Sequence, residues 1–299
     1  MKKLGMRGRH VLAGWMFITP WLIGLLVFFL QPVVNFLIYS FYDFTMGQGG
    51  YTLQPIDSPL KNYIDAWTGD PVYPQRFISS FGHFVYSVPV IVIFSLVCAI
   101  LLNQDFKGRS FMRAVFFLPV IITSGVFGLI TSRGMDMAEG GTTVTSGGST
   151  MFDVSLLTDF LIESGIPASL VESLAGTVSN VAVLIWDSGV QILIFLIGLL
   201  AIPDSYYEAA KVEGATGWEI FWKITFPVVS PFILANLVYT FITSCMSVTN
   251  TTMTYITTIA TQSHDYSTAS AMMWMYFLVM LAIVAIIFGI GSKLIVSSR

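Results

Sequence analysis

Residues 202–231 read IPDSYYEAAKVEGATGWEIFWKITFPVVSP, a polar stretch set between two apolar runs, 179–201 and 228–248. Ser205 is followed three residues later by Glu208, and Thr216 three residues later by Glu219. Each pair has the spacing of a capping box, in which hydroxyl and carboxylate satisfy the backbone N–H groups that a helix start leaves unpaired. Gly214 lies between them and can take the positive φ that ends the first helix. Pro227 and Pro231 are expected to disturb the second helix where it meets the next apolar run. The pattern therefore predicts a helix, a turn and a second helix at a membrane face. That shape suits a socket for a soluble partner. The plain alternative, two capped interfacial helices with no docking role, has the same local signals.

The wider composition places this stretch in a membrane protein. Of 299 residues, 55% are hydrophobic and only 10% are charged, against about a quarter charged in soluble domains. The net charge of −3 says little about partners, and no nucleic acid is called for. Cys98 and Cys245 fall inside apolar runs and read as small packing residues, with neither a disulfide framework nor a zinc site implied. The first run, Val11 to Tyr42, follows Lys2, Lys3, Arg7 and Arg9 and is far longer than the apolar core of a signal peptide, so it reads as a retained span.

A helix needs about 20 apolar residues to cross the hydrocarbon layer. Six stretches qualify: 14–41, 78–102, 113–132, 179–201, 228–248 and 269–293. Backbone polar groups in lipid must be satisfied within their own segment, so the expected fold is an all-α membrane protein of six transmembrane helices forming one domain over 1–299. Residues 202–227 form its cytoplasmic helix-turn-helix loop. Pro20, Pro32 and Pro89 are expected to kink or break the first two spans. Eleven Lys and Arg residues lie on the side of the termini, the 103–112 loop and the 202–227 loop, against three (Lys61, Arg76 and Arg133) on the other. The positive-inside rule puts both termini and the polar loop in the cytoplasm. Outside, residues 43–76 with Asp43, Asp57, Asp65 and Asp70 and several prolines read as a structured cap or a lateral loop. The insertion 133–178 begins Gly/Ser/Thr-rich and flexible, then carries Asp153, Asp159, Glu163 and Glu172 at spacings compatible with short amphipathic helices.

No G-x-x-x-x-G-K-[ST] phosphate loop occurs, so energy from ATP would have to come from another subunit. Asp187 is the one acidic residue well inside a predicted span. Either it faces water or a ligand, or the span starts near Ser188 and Asp187 is interfacial. Gln191 lies one turn later on the same face. The fifth span contributes Asn236, Tyr239, Thr240 and Ser244, and the segment after it Asn250, Thr251 and Thr252. Amides, hydroxyls and an aromatic ring suit a neutral polyhydroxylated ligand, and equally serve as helix–helix glue. Trp218, Phe221 and Trp222 stand at helical spacing and can bury against the spans or rim a docking groove. His264 and Asp265 have no nucleophile placed beside them and read as a solvated loop. An intramembrane enzyme is disfavoured for want of a second convergent ionisable group, and an inert anchor or sensor by the polar residues in the spans.

Glu208-Ala209-Ala210, Gly214-Ala215, Phe221, Ile224, Pro227 and Pro231 resemble the EAA loop of binding-protein-dependent ABC importer permeases, of the carbohydrate type that includes maltose, glycerol-phosphate and multiple-sugar systems. Glu213 stands where the family usually has Asp. Weaker likeness extends to the first span, to Trp186, Gly189, Phe195, Gly198 and Leu199 leading into Ile202-Pro203, and to Ala269-Ser270-Ala271. The outer insertion is atypical, and the family's Gly-Gly-Pro between the last two spans is missing. The resemblance implies half of a translocation pathway for a sugar or oligosaccharide in a bacterial inner membrane, with another solute class or a membrane anchor as alternatives. It also implies a second, similar permease as partner in a heterodimer, two cytoplasmic ATPase domains that hold ATP and Mg, and an extracytoplasmic solute-binding protein. This chain itself would bind no cofactor and carry no catalytic residue. ATPase coupling would fall to Glu208, Ala209, Ala210, Glu213, Gly214, Ala215, Trp218 and Phe221.

Overall fold

The computed structural model describes residues 6–47, 50–56, 58–123, 167, 171, 181, 183–247 and 250–295. Its helices are α1 (Met6–Gly24), α2 (Gln31–Tyr39), α3 (Lys61–Ile64), α4 (Val72–Asn103), α5 (Arg109–Thr123), α6 (Gly189–Leu200), α7 (Asp204–Val212), α8 (Gly217–Ile220), α9 (Phe226–Met246), α10 (Thr251–Thr261) and α11 (Tyr266–Leu294). Among the described residues, four helices are long and apolar enough to cross a membrane, or five if α6 and α7 count as one bent span. The third expected span, 113–132, is helical through Thr123; its remainder and nearly all of the 133–178 insertion lie outside the described residues.

The chain divides into two compact units, Met1–Phe77 with Thr252–Val279, and Ile78–Thr251 with Met280–Arg299. In the first, α1 and α2 form one apolar rod through Leu25–Leu30, a π-helical turn. The Gln31 N–H bonds back to the Leu26 carbonyl, five residues earlier, and Pro32 follows directly. Pro32 has no N–H to donate and its ring crowds the preceding turn. A widened turn absorbs that defect without ending the helix. The expected break at Pro32 is thus a change of hydrogen-bond register, while Pro20 and Pro89 lie inside continuous α1 and α4.

The segment 43–76, expected as a structured cap or lateral loop, is built in part from strands. β1 (Tyr42–Gly47) and β2 (Gly50–Pro55) pair antiparallel, with Phe44 opposite Leu53 and Gly47 opposite Gly50. Aromatic and β-branched residues with glycine on both sides of the turn favour this hairpin over a helix. Phe44 stacks on Tyr51 at 5.3 Å, meets Tyr266 in a T-shaped contact at 4.9 Å, and donates its N–H to the Ser267 hydroxyl oxygen at 2.6 Å. Asp70 starts α4 by accepting from the Val72 and Tyr73 N–H groups, and its other oxygen accepts from the Tyr255 hydroxyl at 2.6 Å. Asp57 lies outside the described residues.

The second unit holds the core that positions the polar loop. Val92, Ala99 and Leu102 of α4 pack with Ile192, Phe195, Leu196 and Leu199 of α6, Ile202, and Val229 of α9. A Cβ on Gly198 would stand 2.7 Å from a ring carbon of Phe232, so glycine is what allows α6 to press against α9.

Candidate functional site

The polar stretch forms an elbow. α7 turns away from α6 by 63° at residues 201–203. It begins at Pro203, whose extended backbone (φ −62°, ψ 140°) occupies the N-cap with no side chain to bond the first turn. Ser205 therefore falls inside the helix, and the expected Ser205–Glu208 capping box does not form. Proline needs no N–H partner at this position, and Asp204 in the first turn complements the helix dipole instead.

The other end of α7 follows its sequence signals closely. Gly214 has φ +77°. The Ala215 N–H reaches the Ala210 carbonyl at 3.0 Å and the Gly214 N–H the Lys211 carbonyl at 3.1 Å. Those two bonds make a Schellman motif, which requires a left-handed residue at the glycine position. Thr216 then caps α8 with both halves of its box. The Glu219 N–H donates to the Thr216 hydroxyl oxygen at 3.4 Å, and the Thr216 N–H donates to the Glu219 carboxylate at 2.9 Å. The Thr216 backbone N–H, then its hydroxyl, then Lys223 hold the Glu219 carboxyl below the usual carboxylate range.

α8 does not end before the next span. It passes through another π-helical turn, Phe221–Thr225, into α9. The Phe226 N–H bonds the Phe221 carbonyl five residues back, and Pro227 follows. This is the arrangement seen before Pro32: the disturbance expected near Pro227 takes the form of a widened turn, and the helix continues. Pro231 sits inside α9. The second short helix is the continuation of a span.

The elbow's faces differ. Ala210 is buried, and the Tyr207 and Ile224 side chains pack onto the core beneath; the Tyr207 hydroxyl lies 3.4 Å from that of Thr225. Glu208, Ala209, Glu213 and Gly214 are exposed, and Ala215 and Phe221 are half-buried. Val212 is 89% and Trp218 70% exposed. Trp218 meets Trp222 edge-on at 5.6 Å, and Trp222 meets Phe226 at 4.9 Å. The aromatics thus rim the outside of the loop. A cavity of about 210 Å³ lies between the end of α4 (Asn103) and the elbow (Tyr207, Gly217, Phe221 and Thr225); nothing in the sequence pattern pointed to it.

A second polar feature lies farther along α9. A cavity of about 200 Å³ is lined by Asp187, Gln191, Tyr239, Thr240 and Ser244, together with Ile91, Trp186, Val190, Thr243 and Ser247. Five of the seven residues expected along a pathway meet there. Residues 183–187 are helical, and the Ser188 N–H to Leu184 and Ile192 N–H to Ser188 bonds carry the helix into α6. Asp187 is exposed, while Gln191 is only 2% exposed. The Gln191 amide N–H donates to the Thr240 hydroxyl at 3.1 Å, and its Oε1 is buried without a protein partner. Asn236 and Asn250 do not line the cavity. The Asn236 amide N–H donates to the Gln191 carbonyl, and the Asn250 amide bridges the Cys245 carbonyl and the Ser80 hydroxyl; both are buried helix–helix contacts.

His264 is exposed with φ +54°, and Asp265 accepts from the Thr268 N–H at 3.0 Å, capping α11. The pair is a helix start.

Capped elbow and polar cavity, carried on one helix of an apolar chain, occur in a sequence whose residues 68–294 match the family of binding-protein-dependent transport system inner membrane components. This chain belongs to that family. It is 31% identical to the probable ABC transporter permease YesP of Bacillus subtilis strain 168, across 98% of this chain and 94% of that protein. It is 26% identical to the lactose transport system permease LacF of Rhizobium radiobacter, across 74% and 68% of the two chains. Its fold is similar to that of a chain in the crystal structure of a bacterial alginate ABC transporter bound to a periplasmic protein carrying an alginate pentasaccharide, with a TM-score of 0.64 at 17% identity over 97% of this permease and 98% of that chain.

Proposed function

We propose that this permease is one of two similar subunits, the other encoded separately, that line the pathway of a bacterial importer for a sugar or oligosaccharide. Its termini and elbow face the cytoplasm. Two ATPase domains there bind ATP and Mg and press on the elbow, and a solute-binding protein delivers cargo at the outer face. The observation that carries this reading is the exposed aromatic and apolar face of Val212, Trp218 and Trp222 on a turn fixed by backbone bonds. An exposed apolar patch on a rigid element fits a protein partner, and small Ala209 allows close approach. Relatives named for lactose and for multiple sugars support the cargo class, as does a cavity of amide, hydroxyl and aromatic groups.

Mechanically, the ATPases bind the elbow differently in their open and closed states, and that difference sets the direction of alternating access. α8, the π turn and α9 transmit the push as one helical element. The cavity, at about 200 Å³, falls below the roughly 300–1,000 Å³ of complete small-ligand sites; the second permease supplies its other wall.

The test has two parts. Purification in mild detergent recovers the ATPase and second permease with the wild type, and Trp218→Ser with Trp222→Ser loses the ATPase while keeping the permease pair. A cysteine placed at Lys211 reacts with an impermeant label only from the cytoplasmic side. Labelling from outside removes the elbow from the ATPase's reach and ends the proposal.

A further inference from the structure

The cavity's charge is one-sided, and this bears on which sugars it passes. Asp187 brings a carboxylate that can only accept hydrogen bonds when ionised. Gln191, which also lines the space, donates to Thr240, and its Oε1 is buried without a protein partner. Thr243 spends its hydroxyl proton on the Tyr239 and Thr240 carbonyls at 3.0 Å, leaving lone pairs. No Lys, Arg or His lines the cavity among the described residues. Trp186, Tyr239 and Ser244 also line it and carry N–H and O–H donors, so what is one-sided is the charge: the space offers an anion with no cation, and the place beside Asp187 favours donors. Sugar hydroxyls and ammonium groups supply them; a uronate carboxylate supplies acceptors and a like charge.

Building on the pathway reading above, we propose that Asp187 is a specificity-determining residue that makes this half of the pathway a charge filter, passing neutral saccharides and disfavouring acidic ones. The fold does not impose this, because the importer of similar fold carries the acidic polysaccharide alginate; cargo charge is set by side chains grafted on the scaffold. A like charge a few ångströms away is strong enough to change a ratio of uptake rates by about tenfold, since about 1.4 kcal/mol suffices.

The experiment uses the whole importer, with its second permease, ATPase and binding protein, in ATP-loaded proteoliposomes. Radiolabelled maltotriose and cellotriose are offered in competition with trigalacturonate. The ratio of acidic to neutral uptake is expected to rise about tenfold in Asp187→Asn, further in Asp187→Lys, and to stay at the wild-type value in Asp187→Glu. Thr243→Lys supplies a counter-charge without touching Asp187 and raises the ratio too, which covers variants of Asp187 that fail to assemble. The binding protein is the same throughout, so a changed ratio reports the permease. A ratio unmoved by Asn, Lys and Thr243→Lys overturns the filter. Ser244→Trp, which fills the cavity, separates this from the underlying reading: blocked uptake of every trisaccharide supports the pathway, and undiminished uptake overturns it. If none of the three enters through the wild type, the saccharide reading itself falls.

Discussion

Gly214 offers an unusually clean perturbation of the elbow. At φ +77° an L side chain costs about 1–2 kcal/mol in backbone strain. A Cβ there meets nothing within 4 Å, so no steric contact with neighbours adds to the cost. Since about 1.4 kcal/mol is a factor of ten in an equilibrium, Gly214→Ala shifts the balance between the bonded turn and an unwound one by roughly 5- to 30-fold. Asn visits the left-handed region more readily than other residues, and a β-branched residue is the worst fit. The expected order of coupling is Gly, Asn, Ala, Val. The assay is uptake by the assembled importer together with ATP hydrolysis stimulated by loaded binding protein, with membrane insertion measured in parallel. Normal insertion with falling stimulation along that order supports a rigid elbow. Wild-type uptake in Gly214→Val would refute the reasoning, because the residue least able to hold the turn would still transmit the push.

The two helix starts should respond differently. Thr216→Ala is expected to weaken the α8 start by about 1 kcal/mol, read as faster amide exchange at Gly217–Ile220, whereas Ser205→Ala, which removes no cap, leaves exchange in α7 unchanged. Glu219 adds a pH dependence. A carboxyl held low in the folded chain stabilises it above the unfolded value of about 4.3, and that contribution is lost as pH falls through the folded value. Protection factors in α8, corrected for the intrinsic slowing of exchange in acid, should therefore fall only at acid pH, and that acid-dependent loss should vanish in Glu219→Gln. At the α6–α9 contact, Gly198→Leu forces side-chain atoms into the Phe232 ring, an overpacking worth about 1–3 kcal/mol. Thermal stability in detergent should drop, and Phe232→Ala in the same chain should restore part of it; an unchanged melting temperature in Gly198→Leu argues against the close packing.

Some of this molecule is legible in its sequence because the signal is local. Thr216 and Glu219 are three residues apart and do bond each other, and Gly214 marks the turn whether or not its partners are known. Length and absence of charge find the apolar helices for the same reason. The failures come where two local rules compete. Ser205 has the spacing of a cap, but Pro203 sets the extended backbone two residues earlier and takes the N-cap. Pro32 promises a kink or break and Pro227 a disturbance, and in each case the preceding turn widens to five-residue hydrogen bonds while the helix continues. The hairpin Tyr42–Pro55 is short, and its support comes from residues more than 200 positions away, such as Ser267; no local window contains that information. Among the polar residues of the spans, Asn236 and Asn250 look like Gln191 and Ser244 in the sequence. Only the packing separates those that tie helices together from those that line space.

The continuity from α8 into α9 changes what the elbow can do. Were Pro227 a break, a push on Trp218 would be lost in a hinge at the membrane face. With the π turn in place, residues 217–246 form one helical element, and the 18 residues between Trp222 and Thr240 span about 27 Å at 1.5 Å per residue. Displacement at the aromatic rim then moves Tyr239, Thr240 and Ser244 with it. Their opposite wall, Asp187 and Gln191, belongs to the helix that the elbow leaves by a 63° bend and that is pressed to α9 at Gly198 and Phe232 and tied to it by Gln191 and Asn236. Under the coupling proposed above, both walls would respond to one lever, and the cavity would change shape only as far as these contacts slide. The π turn is where such sliding is cheapest, since its hydrogen bonds are already displaced from α register and lie next to a residue that donates none.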